Sequence, residues 1–148
     1  MKYVILIVSL LVASPIFANE PQSIVEAFFE DLAEKEYEKA VDSLTLLMPE
    51  SPKKAKVNLQ LKSNFRSLPN AVGRYYGSEL VSEKKVGESF VALAYLALYE
   101  KEAMRLEFVF YKPGDGWRLS TLKMADFDAN DMIDLLRAED GYAPKSKD

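Results

Sequence analysis

The short connections between its extended segments constrain the fold of this chain most. From residue 75 onward, the apolar residues change from a helical period to extended segments rich in β-branched and aromatic residues. Parallel strands need a crossover of roughly a dozen residues or more, so strands joined by short turns must be antiparallel neighbours. The predicted strands cover residues 79–85, 90–99, 103–111 and 117–124.

Three helical segments precede these strands. Ser23 and Glu26 have the spacing of a capping box, which predicts the start of the first helix. A bend at residues 34–36 separates it from the second. Ser51-Pro52 provides an N-cap residue and a proline at the first position of the third helix, which residues 69–73 end.

Helices followed by a meander of strands are typical of an α+β fold. The sequence therefore predicts N-terminal helices packed on a curved antiparallel sheet of about four strands. A last helix is expected after residue 126, with Asn130 as its N-cap. Its apolar side would consist of Met132, Ile133, Leu135 and Leu136.

Three segments carry a resemblance to a known family. They are FFEDL through EKA (28–40), GRY (73–75) and GDGWRL (114–119), set in the order of helices and strands given above. The chain resembles the nuclear transport factor 2-like superfamily, and within it the small exported bacterial domains of unknown function. The resemblance implies a curved sheet wrapped around helices. It also implies a reduced form, because only residues 48–51 separate the second and third helices, where larger members have a hairpin.

The N-terminus has the three-part layout of a secretory signal. Lys2 precedes an apolar run over residues 3–13, and Pro15 and the small Ala18 follow. The run is shorter than the roughly 20 residues that span a membrane. We expect cleavage after Ala18, which gives a periplasmic or secreted protein without a stable membrane span. The expected division is a signal peptide (1–18), a single α+β domain (19–140) and a polar tail (141–148).

The absence of histidine and cysteine excludes several chemistries. Ser-His triads, Cys-His dyads, histidine-ligated zinc and disulfides are all ruled out. Loss of Lys2 with the signal peptide leaves 18 basic and 23 acidic residues, a net charge of −5, which does not favour nucleic acid. We expect no cofactor and a non-catalytic domain. The alternative is an isomerase- or dehydratase-like enzyme that uses only Tyr and Asp, as enzymes resembling this fold can.

Two charged patterns favour structural roles. Asp126, Asp128 and Asn130 alternate like calcium ligands, but Asp131 stands where that loop needs glycine and Arg137 where it needs glutamate. The region of the third helix favours a solvated basic face over an anionic partner. Its basic residues are Lys53, Lys54, Lys56, Lys62, Arg66 and Arg74.

A two-residue loop at Lys101-Glu102 predicts the strand register, with Tyr95 opposite Phe108 and Phe110 opposite Leu119. The predicted inner face of the sheet holds Val91, Leu93, Tyr95, Tyr99, Leu106, Phe108, Phe110, Trp117 and Leu119. The predicted outer face mixes Phe90, Ala92, Ala94, Leu96 and Leu98 with Arg105, Glu107, Tyr111, Arg118 and Ser120.

These faces define two candidate sites. The first is a pocket for a small apolar ligand on the concave side of the sheet, with Tyr95, Tyr99, Phe108, Phe110 and Trp117 as its candidate residues. The second is a protein interface, with Phe90, Leu96, Leu98, Arg105 and Arg118 as its candidates. Because large apolar strips are seldom left exposed, we expect a homodimer through the outer face. The alternatives are a monomer whose last helix covers the strip through Ile133 and Leu136, and an envelope scaffold.

Overall fold

The computed structural model describes residues 20–127, 130 and 133. It contains three helices followed by four strands: α1 (Pro21–Ala33), α2 (Tyr37–Leu46), α3 (Lys54–Val72), β1 (Tyr75–Val86), β2 (Phe90–Tyr99), β3 (Ala103–Tyr111) and β4 (Arg118–Asp126). The strands form one antiparallel sheet in the order β1-β2-β3-β4. The predicted α+β class is confirmed.

The first helix starts earlier than predicted. Its N-cap is Glu20, which makes no side-chain capping bond, and Ser23 lies inside the helix, so the predicted capping box is wrong. Pro21 explains the difference, because its fixed φ suits the first helical turn and its missing N–H is not needed there. The predicted bend after α1 is confirmed. Lys35 adopts φ 64°, and the Glu36 N–H donates to the Asp31 carbonyl at 2.9 Å.

The predicted start of the third helix is wrong, whereas its predicted end within residues 69–73 is confirmed at Gly73. The helix begins at Lys54 rather than at Ser51-Pro52, and it continues through Pro69 to Val72. A proline in the last turn removes only one N–H donor, and buried Val72 holds that turn on the core. Gly73 then ends the helix with φ 85°. A Cβ at this position would lie 2.7 Å from the Glu100 Cβ, so both the backbone angle and the close approach require glycine.

The β2–β3 register differs from the prediction by two residues. Tyr95 pairs with Leu106, and the turn is Glu100-Lys101. Long-range bonds fix this turn, because the N–H groups of Glu100 and Lys101 donate to the carbonyls of Arg74 and Val72 at 2.9 and 3.0 Å. A shift of two preserves the side-chain alternation, so the two predicted faces keep their members.

The other strands agree more closely with the prediction. The pairing of Phe110 with Leu119 is confirmed. β1 is longer than predicted, because it starts at Tyr75, and irregularities interrupt its pairing near Tyr75/Gly77 and Leu80/Ser82.

The core lies between the helices and the inner face of the sheet. The Phe28 ring packs edge-on against Phe65 and Phe108, with centroids 5.3 and 5.8 Å apart, and the Phe29 ring lies 5.1 Å from that of Tyr95. α1 and α3 therefore share one aromatic cluster with the central strands. The buried core consists of Val25, Phe28, Phe29, Leu32, Ala40, Val41, Leu44, Phe65, Val72, Val91, Leu93, Tyr95, Ala97, Met104, Leu106, Phe108, Phe110 and Leu119.

Several predicted segments lie outside the described residues. These are the signal peptide, the polar tail and most of the last helix, of which only Asn130 and Ile133 are described, both helical. Within the described part of the chain, no helix has the length and apolar character needed to cross a membrane.

Candidate functional site

Three of the five pocket candidates are buried in the core. Phe108 and Phe110 are fully buried, and Tyr95 is 3% exposed. The Tyr95 ring lies between Phe29 and Phe108, with centroids 5.1 and 6.0 Å away. The Tyr95 and Phe108 rings therefore pack directly against α1 at this part of the inner face.

The Tyr95 hydroxyl is buried without a hydrogen-bond partner. Burial raises the Tyr95 pKa to about 12, and the nearby carboxylates of Glu26 and Glu83 add to the shift. An unpartnered buried hydroxyl costs stability, so native proteins seldom retain one. The Tyr95 hydroxyl and the Trp117 Nε1–H, which is also buried without a partner, are therefore the groups of two pocket candidates that could hydrogen-bond to a further group.

Tyr99 lies at the same side of the core but is only half-buried. Its ring centroid is 5.3 Å from that of Tyr75, and burial raises its pKa, with smaller contributions from Tyr75 and Tyr37. Burial also raises the Tyr75 pKa, although a hydrogen bond to Ser78 acts in the opposite direction. Tyr75 on β1 and Tyr37 at the start of α2 are thus the phenols that influence the ionisation of Tyr99.

Trp117 is separated from the tyrosines. It lines a cavity of about 320 Å³ together with Leu46, Leu47 and the turn of residues 113–116. The Lys112 Nζ lies 5.6 Å from the centroid of its ring. The structure therefore does not bring the five candidate pocket residues into one site.

Four rows of side chains that cross all four strands form most of the outer face, because directly opposite residues of antiparallel strands share a face. The first row is Val86, Phe90, Tyr111 and Arg118, and the second is Lys84, Ala92, Val109 and Thr121. The third row is Ser82, Ala94, Glu107 and Lys123, and the fourth is Glu79, Leu96, Arg105 and Ala125. Leu98 extends this face beyond the fourth row, opposite Gly77 and Ala103.

The five interface candidates all lie on this outer face and differ in exposure. Phe90 is 49% exposed and stacks on Tyr111, with ring centroids 6.1 Å apart. Leu98 is half-buried, Arg118 is exposed and Leu96 is only 9% exposed. We call Phe90, Ala92, Ala94, Leu96 and Leu98 the apolar strip.

Sequence reasoning missed Val86, which extends the strip to the edge strand. It is 73% exposed and lies directly opposite Phe90. The predicted first strand stopped at residue 85, and only the observed hairpin register brings Val86 beside Phe90.

Charged groups flank the strip on β3 and β4. Arg105 and Glu107, both about one-third exposed, form an ion pair, and Lys123 lies directly opposite Glu107. The outer face thus combines apolar side chains on β2 with a charged border.

Several basic side chains of the third-helix region have acidic partners on nearby elements. The Lys62 Nζ lies 2.7 Å from the Asp42 Oδ1, and Arg66 pairs with Glu38. Hydrogen bonds from Lys62 and Asn58 lower the Asp42 pKa. Because these charges connect α2 with α3, the structural role predicted for them is favoured.

The acidic groups that the structure describes do not form a metal site. No three of them come together in a way that could hold an ion. Asp31 is the buried carboxylate of this part of the chain, and its Oδ1 lies 2.6 Å from the Lys39 Nζ. This bond raises the Lys39 pKa. Asp31 is therefore engaged in connecting α1 with α2.

Comparison with known proteins identifies a structural neighbour. No family model matches this chain, and no curated protein matches its sequence. Among solved structures, it is similar to the crystal structure of a protein from Thiobacillus denitrificans that is named as a calcium/calmodulin-dependent protein kinase type II association domain. The TM-score is 0.53 at 16% identity, over 78% of this chain and all of the neighbour. This likeness shows the fold alone. The arrangement is consistent with the nuclear transport factor 2-like fold.

Proposed function

We propose that this protein is an exported, non-catalytic association domain whose outer sheet face binds a second copy of the chain. The observation that carries the proposal is the apolar strip, which lies on the face opposite to α1–α3. Phe90 and Val86 are 49% and 73% exposed there, as adjacent members of one row. Exposed apolar side chains grouped on one face are typical of interaction surfaces.

The border of this face also suits a protein partner. Arg105, Glu107 and Lys123 provide both signs of charge beside the strip. Protein interfaces commonly have an apolar centre and a polar rim, and aromatic residues and arginine are enriched in them. Phe90, Tyr111 and Arg118 supply such residues within one row.

The name of the structural neighbour supports the same class of function. That protein is named as an association domain, and its fold matches most of this chain. We transfer only this general role, association through the domain, and the face involved is inferred from the side chains of this protein.

Phe90→Glu tests the proposal directly. Because Phe90 is half-exposed on the single chain, a charge at this position should leave the fold intact but weaken an apolar interface. Leu59→Glu is the matched control, since Leu59 is 69% exposed on α3, away from the strip. Sedimentation velocity on residues 19–148 should show reversible dimerisation of the wild type and of Leu59→Glu, with loss of the dimer in Phe90→Glu. Equal behaviour of both variants would contradict the proposal.

A small apolar ligand at the concave side is a second candidate, and the unpartnered Tyr95 hydroxyl favours it. A bound molecule with one polar group would satisfy this phenol. Native mass spectrometry of protein purified from its own envelope fraction is the test. A retained mass lost in Tyr95→Phe supports this function, whereas the bare polypeptide mass alone argues against it.

A further inference from the structure

We infer that the C-terminal segment, residues 128–140, packs on the apolar strip and competes with a second copy of the chain for this face. The inference rests on the proposed function, because it describes how association through the outer face is controlled. Burial, reach and charge support it independently.

The burial of Leu96 is the first argument. Leu96 is only 9% exposed, although it lies on the outer face and belongs neither to the core nor to the residues packed against it. Glu79 and Arg105 are its direct neighbours across the sheet, and Glu79 is exposed. Since α1–α3 lie on the opposite side, this burial is consistent with a further part of the chain over the centre of the strip.

The C-terminal segment follows β4 directly and can therefore reach the apolar strip. The Phe127 N–H donates to the Ala103 carbonyl at 3.2 Å, which carries the chain along β3 to the end of the sheet near Leu98. Two interstrand steps of about 4.8 Å separate β4 from β2. The predicted helix, with Asn130 as its N-cap, would be roughly 15 Å long if it runs to residue 140 at 1.5 Å per residue. It can therefore cross to β2 and cover part of the strip.

Charge favours this occupant over a second copy. The four outer-face rows carry four basic and two acidic residues, a net charge of 4 − 2 = +2. They are Lys84, Arg105, Arg118 and Lys123 against Glu79 and Glu107. Residues 128–140 carry five acidic residues and one arginine, a net charge of 1 − 5 = −4. Two copies of a positive face repel at long range, whereas the segment attracts.

The expected effect on dimerisation follows from population arithmetic. Both copies must expose the strip, so the apparent dimer Kd rises as the inverse square of the open fraction. If each face is open about one-tenth of the time, the apparent Kd is roughly a hundredfold weaker than the intrinsic value. Displacing the segment should remove most of this penalty.

Sedimentation velocity on full mature chains carrying Ile133→Glu and Leu136→Glu together tests the inference. The control is Ala143→Glu together with Ala129→Glu, which adds the same charge without removing large apolar side chains. We expect the first variant to dimerise at least tenfold more tightly than the wild type, and the control to change little. An unchanged or weaker dimer in the first variant would overturn the inference. Loss of the dimer in Phe90→Glu would still support the proposed function in that case.

A second measurement covers the case in which no variant dimerises. The chain lacks cysteine, so a nitroxide attached at Ile133→Cys labels a single position. In the monomeric Phe90→Glu background, we expect the label to broaden the backbone amide signals of Ala94 and Leu96 and to leave that of Leu59 on α3 sharp. Sharp signals at Ala94 and Leu96 would refute the packing, whatever the oligomeric state.

Discussion

Replacing Tyr95 by phenylalanine should stabilise this protein. The hydroxyl is buried and has no partner, whereas the ring packs between Phe29 and Phe108. Phenylalanine keeps the ring and removes only the unsatisfied group. An unpartnered buried hydroxyl costs about 1–3 kcal/mol. The substitution also removes the weak contacts of the hydroxyl, which offsets part of this benefit. We therefore expect the free energy of unfolding to increase by about 1 kcal/mol.

Urea denaturation followed by circular dichroism measures this gain. With a slope of about 2 kcal/mol/M for a domain of this size, the midpoint should rise by about 0.5 M. Tyr75→Phe is the matched control, because the Tyr75 hydroxyl bonds to Ser78 and its removal should cost about 0.5–1.5 kcal/mol. The two variants should thus change stability in opposite directions. A loss of 1 kcal/mol or more in Tyr95→Phe would refute the reasoning, since it requires a partner for the hydroxyl, such as a buried water or ligand.

Three further predictions follow from the core, the tyrosines and the N-terminus. Phe108→Ala should cost about 3–5 kcal/mol in urea denaturation, because a fully buried ring leaves a cavity; a cost below 1 kcal/mol would contradict its place in the core. Below pH 10, ionisation of Tyr95 should not change the free energy of unfolding. As the pH rises through about 12, that free energy should fall, because the folded state holds the phenol proton more tightly than the unfolded state. Spectrophotometric titration checks this, and normal ionisation of every tyrosine in the folded state would argue against it. N-terminal sequencing of the envelope protein should return Asn19, and Met1 would exclude cleavage.

Local patterns were sufficient to predict the strands and their faces. The alternation along residues 90–99 and 103–111 gave the bounds of β2 and β3, and it survived a register error because a shift of two returns each side chain to the same face. The register itself depends on bonds from the turn at residues 100–101 to Val72 and Arg74. Such contacts join residues far apart in the sequence, so hairpin rules could not reveal them.

Helix starts were predicted less well, for a related reason. Ser23 and Ser51 have the chemistry of N-cap residues, yet α1 and α3 begin elsewhere and without side-chain caps. Packing of Phe28 against Phe65 of α3 and against Phe108 of the sheet stabilises these helices far more than one capping bond. Tertiary packing also keeps Pro69 inside α3.

The candidate site could be predicted only as two faces. Alternation placed Tyr95 and Phe108 on the inner face and Phe90 and Leu96 on the outer face. It gave no measure of the space between the sheet and the helices, because that space depends on how α1 packs against β2 and β3. The same limit applies to Trp117, whose position beside Leu47 depends on a contact between α2 and β4.

The dependence of sedimentation on concentration, for residues 19–148 with and without Phe90→Glu, tests association through the outer face most directly. We predict that the wild type shifts reversibly from monomer to dimer as its concentration rises from low to high micromolar, whereas Phe90→Glu stays monomeric with an unchanged circular dichroism spectrum. The account would be contradicted if the wild type stays monomeric across this range and the double variant with Ile133→Glu and Leu136→Glu stays monomeric as well.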